Sequence, residues 1–200
     1  FVNALNTFNG MFALAVYDRV EKKIYMAVDR FGQKPLYYHH EGDKFAFASN
    51  PAALYGIKDK WELDRDALQS YWLLGSIMGE DSLFKGIKKL TGSNYAVYDC
   101  LRHTLEVKRY YTPEPRKENI KDLIFDSIDK VKISDVPIHI FLSGGVDSTI
   151  IASRFEGGKA VHLESMEHTF AEQAARRFHV ELKTVHISQI ETEEYIRDYV

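Results

Sequence analysis

A short glycine loop between an apolar strand and a helix constrains the fold of this chain more than any other feature. The loop reads Ser143-Gly144-Gly145-Val146-Asp147-Ser148, and it follows the apolar run Pro137–Leu142. Two glycines allow the backbone to turn tightly and to approach a ligand without obstruction by a Cβ atom. Because N–H groups at the start of a helix attract anions, the pattern predicts a phosphate-binding site at the edge of a sheet.

The side chains of the loop indicate which anion it would hold. Asp147 would repel a phosphate unless a divalent cation lay between them, so Asp147 is a candidate Mg²⁺ ligand. Ser143 and Ser148 add hydroxyl donors. The loop lacks the lysine that a Walker loop requires, which favours a pyrophosphate held by backbone amides and metal. A tight Gly-Gly turn with a helix cap is the alternative interpretation, and the surrounding strands and helices weigh against it.

The hydrophobic pattern changes at the proline-containing segment Thr112–Arg116. Before this segment, short apolar runs alternate with polar turns, which predicts an antiparallel sheet that includes Met11–Val16 as a buried strand. After it, strands alternate with helices, which predicts a parallel sheet. The predicted helices include Ile120–Val131, one from about Ser148 and one from Glu193. The sequence therefore predicts an α+β layer over residues 1–112 and an α/β layer over residues 113–200, and we expect both domains to be incomplete.

Composition excludes several classes of function. The chain has 26 Lys and Arg against 29 Asp and Glu, a net charge of −3, so we expect no nucleic-acid partner and no membrane partner. Cys100 is the single cysteine, which excludes a disulfide within the chain and a cysteine-based zinc site. No apolar run reaches the roughly 18–20 residues of a membrane helix. These features favour the cytoplasm.

Five further segments carry specific sequence patterns: Asn9–Asp18, Asp29–Tyr38, Phe45–Ser49, Leu83–Leu90 and Glu167–Ala175. Together with the loop Ser143–Ser148, they resemble, in the same order along the chain, the glutamine-hydrolysing asparagine synthetases of the class B type. The loop matches the pyrophosphate loop of the ATP-pyrophosphatase (PP-loop) synthetases, which adenylate their substrates. Asp29–Tyr38 is a long match to the glutaminase core of the asparagine synthetase family.

The resemblance implies an Ntn-hydrolase-like glutaminase layer followed by a PP-loop domain of the adenine nucleotide alpha hydrolase type. It implies a ligase that converts ATP, aspartate and glutamine to asparagine, AMP, diphosphate and glutamate through β-aspartyl-AMP. The expected cofactors are therefore ATP and Mg²⁺, and the expected partners are these small molecules. A homodimer is compatible with this family.

The resemblance also assigns roles to particular residues. It implies an ATP site formed by Ser143, Gly144, Gly145, Val146, Asp147, Ser148, Phe141 and Leu163, with Asp147 in contact with Mg²⁺. For Phe141 and Leu163 a place in the core is the competing interpretation, since apolar strand residues are usually buried. We expect no catalytic residue in the chain, because the nucleophile of the family is an N-terminal cysteine and would lie upstream of Phe1.

Two other interpretations stay open at this level. A related PP-loop amidotransferase could act on another carboxylate, or the chain could be a non-catalytic remnant that binds nucleotide only. We expect the 200 residues by themselves to form no asparagine.

Overall fold

Two structural units follow one another along the chain, and a computed structural model describes them over residues 1–115 and 117–186. The first unit covers Phe1–Pro115, and the second comprises the residues that follow it. No helix within the described ranges is long and apolar enough to cross a membrane.

The first unit is built on antiparallel sheets, as the alternation of apolar runs and polar turns predicted. Its elements in chain order are α1 (Val2–Thr7), β1 (Ala13–Asp18), β2 (Lys23–Val28), β3 (Tyr37–Glu41), β4 (Lys44–Ala48), the 3₁₀ helix Pro51–Ile57, α2 (Arg65–Leu74), β5 (Ile87–Lys89), β6 (Asn94–Asp99) and β7 (Thr104–Arg109). One sheet has the strand order β1-β2-β6-β7 and another the order β4-β3-β5. In the first sheet β2 pairs with β6, and in the second β3 pairs with β5, so both sheets join strands that are distant in sequence.

Both sheets of the first unit contribute to one buried cluster. Met26 and Val28 from β2 and Tyr38 from β3 belong to this cluster and are at most 6% exposed. The strand predicted at Met11–Val16 is present as β1, but the expectation that it is buried is wrong, because Met11 is 59% exposed and Val16 is 49% exposed. Strand β1 lies at the edge of its sheet, so one side of its backbone has no neighbouring strand among the described residues.

The carboxylate of Asp29 organises the loop that follows β2. Asp29 is 1% exposed and accepts hydrogen bonds from the backbone N–H groups of Phe12 at 3.3 Å, Phe31 at 3.0 Å, Gln33 at 3.1 Å and Lys34 at 3.1 Å. Burial raises the pKa of the Asp29 carboxyl, but the N–H donors lower it by more, so its pKa lies below the ordinary value. This carboxylate therefore holds together the end of β2, the loop and the segment that precedes β1.

Residues next to Asp29 make further contacts with the rest of the first unit. Arg30 donates to the carbonyl of Asn6 at 3.1 Å, and its guanidinium lies 4.5 Å from the centre of the Tyr111 ring. At Gly92 a Cβ atom would lie 2.7 Å from the carbonyl carbon of Phe31, so only glycine fits there. The matched segment Asp29–Tyr38 is thus a packed structural element of the first unit.

The second unit contains a parallel sheet, in agreement with the alternation of strands and helices. Its elements are α3 (Ile120–Val131), β8 (His139–Phe141), α4 (Val146–Ala152), β9 (Lys159–Leu163), α5 (His168–Arg177) and β10 (Glu181–Val185). The strand order is β10-β9-β8, and all pairs are parallel. Helix α5 packs on this sheet through Ala171, Ala174 and Ala175, small residues that allow a close approach. The predicted helix that starts at Glu193 lies outside the described residues.

Two boundaries of the second unit differ from the expectation. Strand β8 is shorter than the run Pro137–Leu142, because its ladder with β9 extends from His139 to Phe141 and the chain then turns into the loop. Helix α4 begins at Val146, earlier than the expected start at Ser148, because Gly145 already serves as the N-cap. Both differences place the glycine loop directly between strand and helix.

We expect Asp29→Asn to lower the free energy of unfolding by about 2–4 kcal/mol at pH 7, because an amide replaces one accepting oxygen with a donor. The pKa of Asp29 is lowered in the folded state. Its contribution is therefore full above the unfolded-state pKa of about 3.9 and is lost as the pH falls through the lower folded-state pKa. Urea unfolding followed by circular dichroism, at pH 7 and at successively lower pH, measures the difference.

Asp18→Asn is the matched control for this prediction. Asp18 accepts backbone N–H groups from Val20 at 2.8 Å and Glu21 at 2.9 Å, and both reach the same oxygen, Oδ1. An asparagine keeps that oxygen, so we expect little change. Equal losses of stability in the two variants would contradict the role assigned to Asp29.

Candidate functional site

The glycine loop lies where the parallel sheet of the second unit ends. Strand β8 stops at Phe141, Leu142 is buried at 1% exposure, and α4 starts at Val146. Ligands of open α/β sheets bind outside the carboxyl ends of the strands, and the loop occupies that place. The strand and the helix predicted to flank the loop therefore do flank it.

Hydrogen bonds within the loop give it a closed shape. The hydroxyls of Ser143 and Ser148 lie 3.0 Å apart, and the Ser148 hydroxyl donates to the Gly145 carbonyl at 3.1 Å. The Gly145 N–H donates to the Ser143 hydroxyl oxygen at 3.3 Å. Since a hydroxyl has one proton, Ser143 must donate to Ser148 in this arrangement. The serine hydroxyls, expected to face a ligand, here hold the loop in shape.

The two glycines of the loop differ in what surrounds them. Gly144 has φ = +93°, and a Cβ atom there would lie 2.7 Å from the Ala171 nitrogen and 2.9 Å from the Glu167 oxygen. The first turn of α5 is therefore in direct contact with the loop backbone. Among the described residues, the Ser143 hydroxyl oxygen, at 3.5 Å, is the only atom within 4 Å of a Cβ placed at Gly145 outside its chain neighbours. Gly145 thus borders open space, where a ligand has room to approach.

Asp147 is exposed in the first turn of α4, next to exposed Val146. No group of three or more His, Cys, Asp or Glu side chains that could hold a metal ion occurs within residues 1–115 and 117–186. A Mg²⁺ ion at Asp147 would therefore also need oxygens of a ligand. Mg²⁺ commonly binds through one or two carboxylates together with substrate phosphates, so this exposed carboxylate beside an open glycine backbone fits such an ion.

Phe141 and Leu163 lie on adjacent parallel strands beside the loop. Phe141 is 83% exposed and Leu163 is 52% exposed, whereas Ile140 and Ala160 are buried against α5. Because successive strand residues point to opposite faces, Phe141 and Leu163 face away from that core. Within the described residues neither side chain is packed in the core, which was the competing interpretation for both.

One residue in contact with the loop segment was not expected from the sequence. His162 on β9 is 1% exposed, and its Nδ1 lies 2.8 Å from the carbonyl oxygen of Leu142, the residue that precedes Ser143. The eight histidines of the sequence show no metal-ligand spacing, which favours packed or solvated side chains without singling out His162. Ala160 and His162 are two positions apart on one strand and therefore lie on the same face, which is the sequence signal that places His162 in the interior.

Comparison with known protein families agrees with the two-unit architecture. A family model described as a glutamine amidotransferase domain matches residues 2–111, more than half of the 200 residues. The chain belongs to the glutamine amidotransferase family. A second model, described as asparagine synthase, matches residues 119–200.

Individual relatives support the same assignment. The chain is 31% identical over 163 residues to the putative glutamine-hydrolyzing asparagine synthetase 2 of Methanocaldococcus jannaschii, covering 74% of this chain and 31% of that protein. It is 34% identical over 177 residues to the glutamine-hydrolyzing asparagine synthetase 3 of Bacillus subtilis, covering 80% of this chain and 28% of the relative. The chain thus spans less than a third of the length of these curated relatives. The resemblance to this synthetase family is confirmed.

Substitution of the two loop glycines separates their roles. We expect Gly144→Ala to lower the free energy of unfolding by about 2–4 kcal/mol, because the added Cβ would clash with the first turn of α5 at a positive φ. Gly145→Ala, with φ = −70° and open space, should change it by less than about 1 kcal/mol. Urea unfolding of both variants measures the difference, and a larger loss for Gly145→Ala would refute this packing.

Proposed function

We propose that the second unit binds ATP with Mg²⁺ and activates a carboxylate as its adenylate, and that the whole protein is a glutamine-dependent asparagine synthetase. In the proposed reaction ATP, aspartate and glutamine give asparagine, AMP, diphosphate and glutamate through β-aspartyl-AMP. The observation that supports it best is the loop Ser143–Ser148 at the carboxyl end of a parallel sheet, in a chain whose two family matches follow in the synthetase order.

The loop has the groups that pyrophosphate binding needs. Its backbone beside Gly145 is open to a ligand, while Gly144 is held against α5. Backbone N–H groups can bind the β- and γ-phosphates, and the exposed carboxylate of Asp147 would hold Mg²⁺ together with phosphate oxygens. When bound, Mg²⁺ would neutralise the charge that develops on the pyrophosphate as it leaves. The adenylate forms when a carboxylate oxygen attacks the α-phosphorus and pyrophosphate departs.

Phe141 and Leu163 suit the adenosine part of ATP. Both are exposed apolar side chains on neighbouring strands next to the loop. A large apolar group in solvent is unfavourable, and the flat face of an adenine would cover it. We therefore assign adenosine to this edge of the sheet and the phosphates to the loop Ser143–Ser148.

The first unit would deliver ammonia from glutamine. This follows from its match to a glutamine amidotransferase domain over residues 2–111. The net charge of −3 agrees with small-molecule partners and gives no support for a nucleic-acid or membrane partner. We propose that the protein acts in the cytoplasm, and a homodimer is compatible with this function.

An assay of pyrophosphate release tests the proposed reaction. The full natural protein is given ATP, Mg²⁺ and ammonium, which replaces the glutaminase step, with aspartate or with other carboxylates. We expect pyrophosphate release and asparagine with aspartate only. Release with a different carboxylate would assign the protein to a related amidotransferase, and ATP binding without release would show a nucleotide-binding protein with no synthetase activity.

We expect Asp147→Asn to weaken binding of the Mg²⁺ complex of α,β-methylene-ATP about tenfold, because the metal loses a charged ligand. Without Mg²⁺ the same variant should bind the analogue no more weakly than the wild type, since a carboxylate then repels phosphate. Isothermal titration with and without Mg²⁺ measures both effects.

Asp122→Asn is the control for the metal prediction. Asp122 is also an exposed acidic residue in the first turn of a helix of the same unit, at α3. It lies outside the glycine loop, so its replacement should leave the affinity unchanged with and without Mg²⁺. A tenfold loss in this variant would mean that general charge, rather than a metal contact at Asp147, controls binding.

A further inference from the structure

A buried histidine contacts the peptide that leads into the glycine loop. The ladder between β8 and β9 ends with the pair Phe141–Val161, and the Leu142 N–H still donates to the Val161 carbonyl at 2.9 Å. At the next peptide group the hydrogen-bond partner is the ring of His162, whose Nδ1 lies 2.8 Å from the Leu142 oxygen. A side chain therefore continues the hydrogen bonding of the sheet by one step, up to the residue before Ser143.

The acceptor fixes the protonation of that ring nitrogen. A carbonyl oxygen only accepts, so Nδ1 of His162 must carry the proton and donate it. Nε2 of the same ring is buried and has no hydrogen-bond partner within the described residues. A buried polar atom without a partner is unfavourable, and an apolar residue in place of His162 would avoid this cost. The contact with Leu142 is thus what this histidine contributes that an apolar residue would not.

The Leu142–Ser143 peptide bond is planar, so a hydrogen bond to its carbonyl also constrains its N–H group. The described peptide bonds are all trans, so the Leu142 C=O and the Ser143 N–H point in opposite directions across one rigid plane. With its oxygen held toward the buried ring of His162, this peptide has its N–H directed away from the interior. The hydrogen bond therefore sets the orientation of the first amide of the loop.

A second histidine connects this contact to the other support of the loop. His168 is the first residue of α5, and the centres of the His162 and His168 rings are 5.2 Å apart. The first turn of α5 is also the part of the helix that touches Gly144. The strand end and the helix start that hold the loop therefore meet at this pair of rings.

We propose that His162 is a positioning residue for the nucleotide site. By donating from Nδ1 to the Leu142 carbonyl, it orients the Leu142–Ser143 peptide so that the Ser143 N–H is directed toward the phosphates of ATP. It touches no substrate itself and acts through the loop backbone. This inference rests on the nucleotide binding proposed above.

The position of the donor distinguishes this role from simple filling of the core. In His162→Asn the amide nitrogen is attached to Cγ, as Nδ1 is, whereas in His162→Gln it lies one atom further out. We expect the Asn variant to bind the Mg²⁺ complex of α,β-methylene-ATP within about threefold of the wild type. The Gln and His162→Leu variants should bind about tenfold more weakly. Isothermal titration of the full chain measures these affinities, and circular dichroism confirms that each variant is folded.

His139→Leu is the control, because His139 is an exposed histidine on the adjacent strand β8 and should bind like the wild type. Absence of binding by the wild type would refute the nucleotide site and this inference with it. If the wild type binds and the Gln and Leu variants bind as tightly as the wild type, the role of His162 alone is refuted.

Nuclear magnetic resonance tests the role without any substitution, and decides it if the Gln or Leu variant does not fold. In long-range ¹H–¹⁵N spectra of the wild-type chain, we expect His162 to carry its proton on Nδ1. Its ring signals should move when the Mg²⁺ complex of α,β-methylene-ATP is added, whereas those of His139 should not. A proton on Nε2 alone, or ring signals unaffected by the bound analogue, would overturn the proposal.

Discussion

The first turn of α5 lies directly against Gly144, and the position of the glycine loop depends on this contact. A Cβ atom at Gly144 would lie 2.7 Å from a backbone nitrogen of that turn. The helix can come so close because it packs on the sheet through alanines. Hydrophobic packing of a small-residue helix therefore fixes a backbone segment with few apolar atoms of its own. Movement of α5 would move the loop.

Hydrogen bonds also hold the glycine loop in place. The hydroxyls of Ser143 and Ser148 bond to each other, and the ring of His162 holds the carbonyl that precedes the loop. Gly145 and the exposed Asp147 stay open to a ligand. The loop thus has a rigid inner side and an accessible outer side, which is the arrangement that preorganised binding of an anion requires.

The first unit uses a similar device around a carboxylate. Asp29 accepts four backbone N–H groups from the loop after β2 and from Phe12, and so replaces a regular ladder with hydrogen bonds to one buried side chain. Because these donors lower its pKa, the carboxylate stays charged and accepting at neutral pH. In both units a buried polar side chain forms a hydrogen bond with the backbone at or beside an irregular loop.

Local signals in the sequence determined the elements that depend on neighbours along the chain. Helix α2 begins after the cap Asp64 and ends at Gly75, and α3 has the bounds Ile120–Val131 predicted from its periodicity. The glycine loop and the family were also readable, because both are contiguous patterns. Only the tertiary structure decided the pairing of β2 with β6, the exposure of Phe141 and Leu163, and the contact between His162 and Leu142. The reason is physical: caps and periodicity act over a few residues, whereas strand partners and buried donors are chosen by groups that are distant in sequence and meet only in the folded chain.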